Sequence, residues 1–187
     1  MWPVTGFTLL EGLIALTIAA ILASATIPGF SQLLAEQRAT AAINHLAGSI
    51  HVARHTAVVQ HQATVLCPAA GDHCGGRHQW HHGAMIFADH NRDGSRQPKE
   101  AIIERFAPLP SGDRVYWRSF RNRSYLRFQA NGQTDWQNGT FTYCPESGER
   151  SLIRGLIVNA TGRIASTRDS DGDGLHEDAR GNPLRCG

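Results

Sequence analysis

GFTLLEGLIALTIAAILASATIPGF, residues 6–30, carries a single charge between Phe7 and Ala25, the carboxylate of Glu11. An apolar run of that length is about what an α-helix needs to cross a bilayer core. A carboxylate inside it costs roughly 2.5–3.5 kcal/mol on insertion scales, so it calls for a partner or a role. The run reaches Ile27-Pro28-Gly29, and a Pro-Gly pair stops or kinks a helix. Helix signals then resume. From Ser31 to about Gln62 there is no proline and one glycine, Gly48, while Ile43, Leu46, Ile50, Ala53 and Ala57 recur at steps of 3 and 4. That spacing is one apolar stripe on a helix. The first third of the chain therefore reads as one long helix kinked near Pro28, apolar all round at first and amphipathic afterwards.

Ahead of the run, MWPVTG contains no Lys or Arg, which is unlike the basic start of an ordinary secretory signal. Beyond it, roughly 150 of the 187 residues remain for one soluble domain, enough for a single core. A net charge of +2 excludes a polycation. Of eighteen basic residues only Lys99 is lysine. Arginine forks suit phosphate and carboxylate, and a GC-rich genome gives the same bias. The four cysteines, Cys67, Cys74, Cys144 and Cys186, follow an export-type segment, which points to two disulfides in an oxidising compartment. Sequence proximity favours Cys67–Cys74, leaving Cys144–Cys186. Zinc is the competing reading, since His73, His78, His81 and His82 lie near the first pair.

After the helix the composition changes. Residues 63–67, 83–89, 101–106, 114–120, 125–129, 139–144 and 155–164 are short β-rich runs separated by Gly, Asn, Asp and Pro. Asn131-Gly132 predicts a tight hairpin, and Asn138-Gly139 a second turn. Seven strands with no second long helix imply an α+β fold: the long helix packs its amphipathic half on an antiparallel β-sheet or a small β-sandwich. The polar, Gly/Asp-rich tail from Ser166 is expected to be irregular and held by Cys186.

Gly6-Phe7-Thr8-Leu9-Leu10-Glu11, followed by the apolar helix and Ile27-Pro28, resembles the processing site of type IV prepilins and type II secretion pseudopilins. The remainder is similar to the minor-pilin branch called GspH/FimT. It shares the helix, the strand GAMIFAD before a DxNxDG turn, the late run GLIVNATGRI, read as one strand, and the terminal cysteine loop. The resemblance implies a type IV pilin-like fold with three segments: a leader at 1–6, a transmembrane or filament-core helix at 7–30, and a periplasmic domain at 31–187. It implies cleavage between Gly6 and Phe7 by a prepilin peptidase, N-methylation of Phe7, and an assembly role for Glu11. There the carboxylate would meet the α-amino group of Phe7 on a neighbouring subunit, offsetting the desolvation of both charges and setting axial register. The implied function is structural: a minor pilin in pilus assembly, initiation or a tip complex, anchored in the inner membrane and then carried in the filament beside other minor and major pilins. Two alternatives are a pilus-associated DNA receptor and a GspH-like minor pseudopilin of type II secretion. DNA-binding relatives carry G-R-x-R near the C-terminus, where this chain has Gly162-Arg163-Ile164-Ala165, with the next arginine at Arg168.

Four motifs invite chemistry. Asp89, Asn91, Asp93 and Glu100 fit the calcium-loop pattern D-x-[DN]-x-[DN]-G-x5-E, although the flanks read as strands; Asx side chains satisfying their own backbone are the alternative. Asp169, Asp171, Asp173 and Glu177 supply acids at positions one, three, five and nine of a second such loop, with Arg180 at the twelfth; a solvated acidic turn is the alternative. Arg114, Arg118, Arg121, Arg123 and Arg127 interleave with Tyr116, Trp117, Phe120 and Tyr125, a composition suited to phosphates and stacked bases, or to a solvated or subunit-facing basic edge. His51 and His55, one helical turn apart, and His81-His82 read as surface histidines. Nothing resembles a nucleophilic triad, a phosphate loop or a catalytic carboxylate pair, so no enzyme and no cofactor beyond calcium is expected.

Overall fold

In the computed structural model, residue 6, residues 8–110 and residues 112–187 are described; within 25–29 only the helical backbone is. The kink expected at Pro28 lies outside the described residues. Helix α1 runs Leu9–Val59. It ends at Val59, three residues before the expected Gln62, and His61 just beyond it has a φ of 52°, in the left-handed region. Gln62 N–H then donates to the carbonyl of Ala57 and closes a Schellman motif.

The chain forms two compact units, residues 1–38 and 39–187. The first is helical throughout the described part of residues 9–38, with Leu9, Leu13, Leu16, Ile18, Ile21 and Leu22 all exposed. Among the described residues no helix is long and apolar enough to cross a membrane.

Among the described residues the second unit holds the rest of α1 and nine strands in two antiparallel sheets. In the first sheet β1 (Thr64–Ala70) is central, with β3 (Ala84–Ala88) and then β4 (Ile102–Phe106) on one side. Its other side carries β2 (His73–Cys74) and β6 (Leu126–Phe128). The second sheet has the order β5 (Arg114–Ser119), β7 (Gly139–Cys144), β8 (Arg154–Val158), β9 (Ile164–Ser166). All five predicted stripe residues of the helix are buried. They share one cluster with Leu66, Ile86, Leu126 and Phe128 of the first sheet and Val115, Trp117, Phe141, Tyr143, Leu156 and Val158 of the second. Phe141 is at its aromatic centre, stacked on Trp117 at 4.0 Å and edge-on to Trp80 at 4.8 Å. Alternate residues Val65, Cys67, Met85 and Phe87 point away from that cluster and form a second one with Tyr125. The first sheet is thus buried on both faces, so β3 is apolar without alternation.

Residues 155–164 do not form the single strand expected. They are a hairpin: β8 and β9 pair around a turn in which the Asn159 carboxamide oxygen accepts from the N–H groups of Thr161 and Arg163. Gly162, at φ +76°, completes the reversal, and a Cβ there would overlap the carbonyl oxygen of Gly132. Gly132 lies in the predicted Asn131-Gly132 turn, where its N–H donates to the carbonyl of Gln129. Arg54 of the helix donates from Nε to that same Gly132 oxygen at 3.0 Å. Helix and two turns therefore meet at one carbonyl. After Ser166 the described chain is irregular apart from one bridge, Glu177 to Pro183.

Candidate functional site

At the amino-terminal end Gly6 is exposed and Phe7 lies outside the described residues. Thr8 caps α1: its Oγ1 accepts the N–H of Glu11 at 3.3 Å, and its carbonyl accepts the N–H of Gly12. Thr8 and Glu11 have the Thr-x-x-Glu spacing of a capping box, a signal legible in the sequence that the apolar context obscures. Glu11 is exposed in the first turn, where the helix dipole favours a negative charge.

The disulfides are Cys67–Cys74 and Cys144–Cys186. The first closes the β1–β2 hairpin. The second ties the end of the chain to β7.

The two acidic loops differ. Residues 89–100 connect β3 to β4, and Asp89 and Glu100 are buried at 1% and 3% exposure. Both Glu100 oxygens and Asp89 Oδ2 are taken up locally, while Asp89 Oδ1 has no hydrogen-bond partner. Glu100 accepts from the N–H groups of His90 and Gln97, both at 2.9 Å. Asp89 Oδ2 accepts from Gly94 N–H at 3.2 Å and from Arg127 at 3.3 Å. Asp93 accepts from Ser95 N–H, Gln97 and Asn91, and the Ser95 bond first of all holds its pKa below the usual range. Burial pushes the Asp89 carboxyl up, against the pull of Arg127. The tip of the loop lies over Tyr125, whose ring a Cβ at Gly94 would strike. Most of the loop's Asx and Glu oxygens thus serve its own backbone, and the loop roofs the second apolar cluster.

Residues 169–177 are built otherwise. One donor oxygen each from Asp169, Asp171, Asp173 and Glu177 lies within 4.8 Å of the others, and among the described residues this is the one group of three or more acidic, His or Cys ligand atoms brought so close. Asp169 accepts from Gly174 N–H at 2.9 Å and Gly172 N–H at 2.7 Å, which keep its pKa low. Asp171 and Asp173 each accept one N–H, from Asp173 and Leu175.

The arginines do not form one strip. Arg114 and Arg118 project from β5, the first beside His81 Nε2 at 3.0 Å, the second donating to the Gly187 carbonyl at 3.2 Å. Strand alternation buries Trp117 between them. Arg121 sits beside the Phe120 ring and Arg123 beside Tyr125. Arg127, on β6 in the other sheet, is an internal group: its side chain is 13% exposed and bridges Asp89 and Asp135. Burial would lift the Asp135 carboxyl, but the hydrogen bond and charge of Arg127 bring it below the usual range. Arg163 and Arg168 are exposed, one in the β8–β9 turn and one beyond the far end of β9. Five residue steps, at the rise of an extended chain, separate them by about 16 Å. His51 and His55 are exposed on α1, and the rings of His81 and His82 lie 4.2 Å apart, tilted by 43°.

Phe120 of the predicted strip is exposed, and so is Trp136, outside every predicted site. Phe120 is 55% exposed and Trp136 68%, with Trp136 at φ 59°, a conformation that a bulky side chain seldom adopts. Neither alternation nor turn propensity marks Trp136 in the sequence.

A family model described as type II transport protein GspH matches residues 42–162. No curated protein matches the chain. Two crystal structures of the Pseudomonas aeruginosa type IV minor pilin FimU resemble it, each at 21% identity. The P21 form covers 72% of this chain and 85% of its own at a TM-score of 0.47; the P65 form covers 73% and 92% at 0.48.

Proposed function

We propose that this chain, which belongs to the GspH family, is a minor pilin that enters a type IV pilus and helps to start or cap it. The observation that carries the reading is the start of its first unit: a Thr8-capped helix whose large apolar side chains from Leu9 to Leu22 are exposed, with one carboxylate in its first turn. Such a surface needs lipid or other subunits to cover it. In this reading residues 7–30 hold the precursor in the inner membrane and residues 31–187 lie in the periplasm, where two disulfides persist. A prepilin peptidase removes residues 1–6 and methylates Phe7. The cut falls before Thr8, so the cap on Glu11 N–H survives it. The helix then moves sideways into a filament, where other minor and major pilins replace lipid. Glu11 meets the Phe7 amino group of a neighbour and fixes the register.

The test is made in the producing bacterium. Gly6→Ala is expected to leave only the precursor on a gel, and a mature-size band from that variant overturns the cleavage step. Glu11→Ala is expected to be processed yet missing from sheared pili; normal incorporation removes the register role. The description of the matching family as a type II transport protein favours a second reading, a minor pseudopilin of type II secretion. Deletion separates the two: lost piliation with normal exoprotein release supports the pilus, and the converse supports the pseudopilus.

A further inference from the structure

We propose that Asp169, Asp171, Asp173 and Glu177 form a binding site for a hard divalent cation of calcium's size. Four carboxylates gathered within 4.8 Å repel one another, and the chain holds them there with its own N–H groups, which meet both oxygens of Asp169 and one oxygen each of Asp171, Asp173 and Glu177. Gly172 and Gly174, both at φ +83°, let the backbone turn tightly enough to do so. Glu177 supplies the decisive observation. It is 7% exposed, its Oε2 accepts Ser170 N–H at 2.8 Å, and its buried Oε1 has no hydrogen-bond partner. Glu177 also contributes a donor oxygen to the converging group. A buried carboxylate oxygen without a donor is costly unless a cation meets it.

The chemistry of the donors selects the ion. They are all carboxylate oxygens, with the Leu175 main chain at the seventh position where calcium loops use a carbonyl. His176 turns its Nδ1 to Thr167 Oγ1 at 3.1 Å, so imidazole does not join them. Oxygen-only sites with irregular spacing suit calcium better than magnesium, which demands a near-ideal octahedron, and better than zinc, which seeks nitrogen and sulfur. The twelfth position is Arg180, and Asp178 is engaged by the N–H groups of Arg180 and Asn182, so water completes the shell in place of a bidentate acid. Bound there, the ion would clamp the turn after β9 to the tail, because Glu177 N–H donates to the Arg168 carbonyl and Glu177 pairs with Pro183. The loop lies outside residues 42–162, the part matched to the family.

The test uses the full chain in detergent micelles, stripped with chelator and titrated calorimetrically with calcium chloride and then magnesium chloride. One calcium per chain is expected, with Kd on the order of 10⁻⁴–10⁻³ M and magnesium at least about tenfold weaker. Asp171→Asn and Asp173→Asn keep the oxygen that accepts the N–H two residues on, so both variants retain the turn. Each is expected to weaken calcium by about tenfold or more while its melting temperature in chelator stays at that of the parent. Glu177→Gln is expected to weaken calcium likewise. No saturable heat up to about 10 mM calcium, or unchanged affinity in the two Asn variants, overturns the site.

Discussion

Replacing Arg127 with Ala tests whether the most conspicuous member of the basic run is structural. Its guanidinium bonds to Asp135, lies 3.3 Å from Asp89 Oδ2, and donates to the Arg92 carbonyl. Asp89 is 1% exposed, and its Oδ1 has no partner. Removing one partner of a buried pair costs about 3–5 kcal/mol, because the charge left behind is uncompensated. The lower figure applies, since Asp89 keeps the Gly94 N–H and Asp135, whose side chain is 31% exposed, can turn to water. At a urea m-value of about 2 kcal/mol/M, a 3 kcal/mol loss moves the midpoint by roughly 1.5 M. The pH dependence identifies the cause. Burial raises the Asp89 pKa even against Arg127, and without Arg127 it rises further. A carboxyl raised in the folded state is penalised above its folded pKa, and the penalty fades as pH falls toward the unfolded value near 4. The variant's deficit should therefore be smaller at pH 5 than at pH 7.5. Adding Asp89→Asn should recover more than half of it at pH 7.5. Arg123→Ala, beside the Tyr125 ring at 6.0 Å, is the control and should stay within about 0.5 kcal/mol of the parent. A deficit under about 1 kcal/mol at pH 7.5, or one of equal size at pH 5, would refute the reasoning.

Gly162→Ala should cost about 2 kcal/mol or more in urea unfolding, since its φ is +76° and the new Cβ overlaps the Gly132 carbonyl. Gly148→Ala, at φ +71° with open space around it, should cost about 1 kcal/mol, and equal losses would argue against the close turn–turn contact. Replacing Cys144 and Cys186 together by Ala opens a loop with a sequence separation of 42, worth about 4 kcal/mol in the chain-entropy account. The same change at Cys67 and Cys74, separated by 7, removes about 2.5 kcal/mol of loop entropy plus the packing of a fully buried sulfur. Non-reducing gels and unfolding curves of both variants check the ranking of the first loss.

The helix was legible because its signals are local. The stripe from Ile43 to Ala57 repeats at helical spacing, and every member is buried. Strand positions followed from β-rich runs between turn residues, yet two pieces of the architecture did not. The division into two sheets depends on which edge each strand pairs with, and β5 and β6 are near in sequence but in different sheets. The β8–β9 hairpin was missed because Leu156 to Val158 and Ile164 are apolar on both sides of a turn whose reversal rests on Gly162 and the Asn159 side chain. The same blindness affects the arginines. Composition shows five in fourteen residues; only the pairing places Arg127 inside, between two acids distant from it in the chain or across a turn.

The two acidic loops carry this point further. Residues 89–100 complete the calcium-loop pattern and residues 169–180 do not, but it is the second that gathers its carboxylates. The pattern specifies residue types, whereas a site depends on oxygens left over after the backbone has been served. In the first loop β3 and β4 close the base through the Ala88 N–H to the Ala101 carbonyl, and both Glu100 oxygens go to N–H groups. Asp89 Oδ1 is left over there too, but Arg127 already meets the same carboxylate, so its charge is paired by a cation of the chain. In the second loop both Asp169 oxygens also meet N–H groups, but Asp171, Asp173 and Glu177 give up one oxygen each. The remaining oxygens, with Glu177 Oε1 among them and buried, are what a cation can use. The acid missing at the twelfth position thus matters less than the competing donors, a count that residue spacing does not contain.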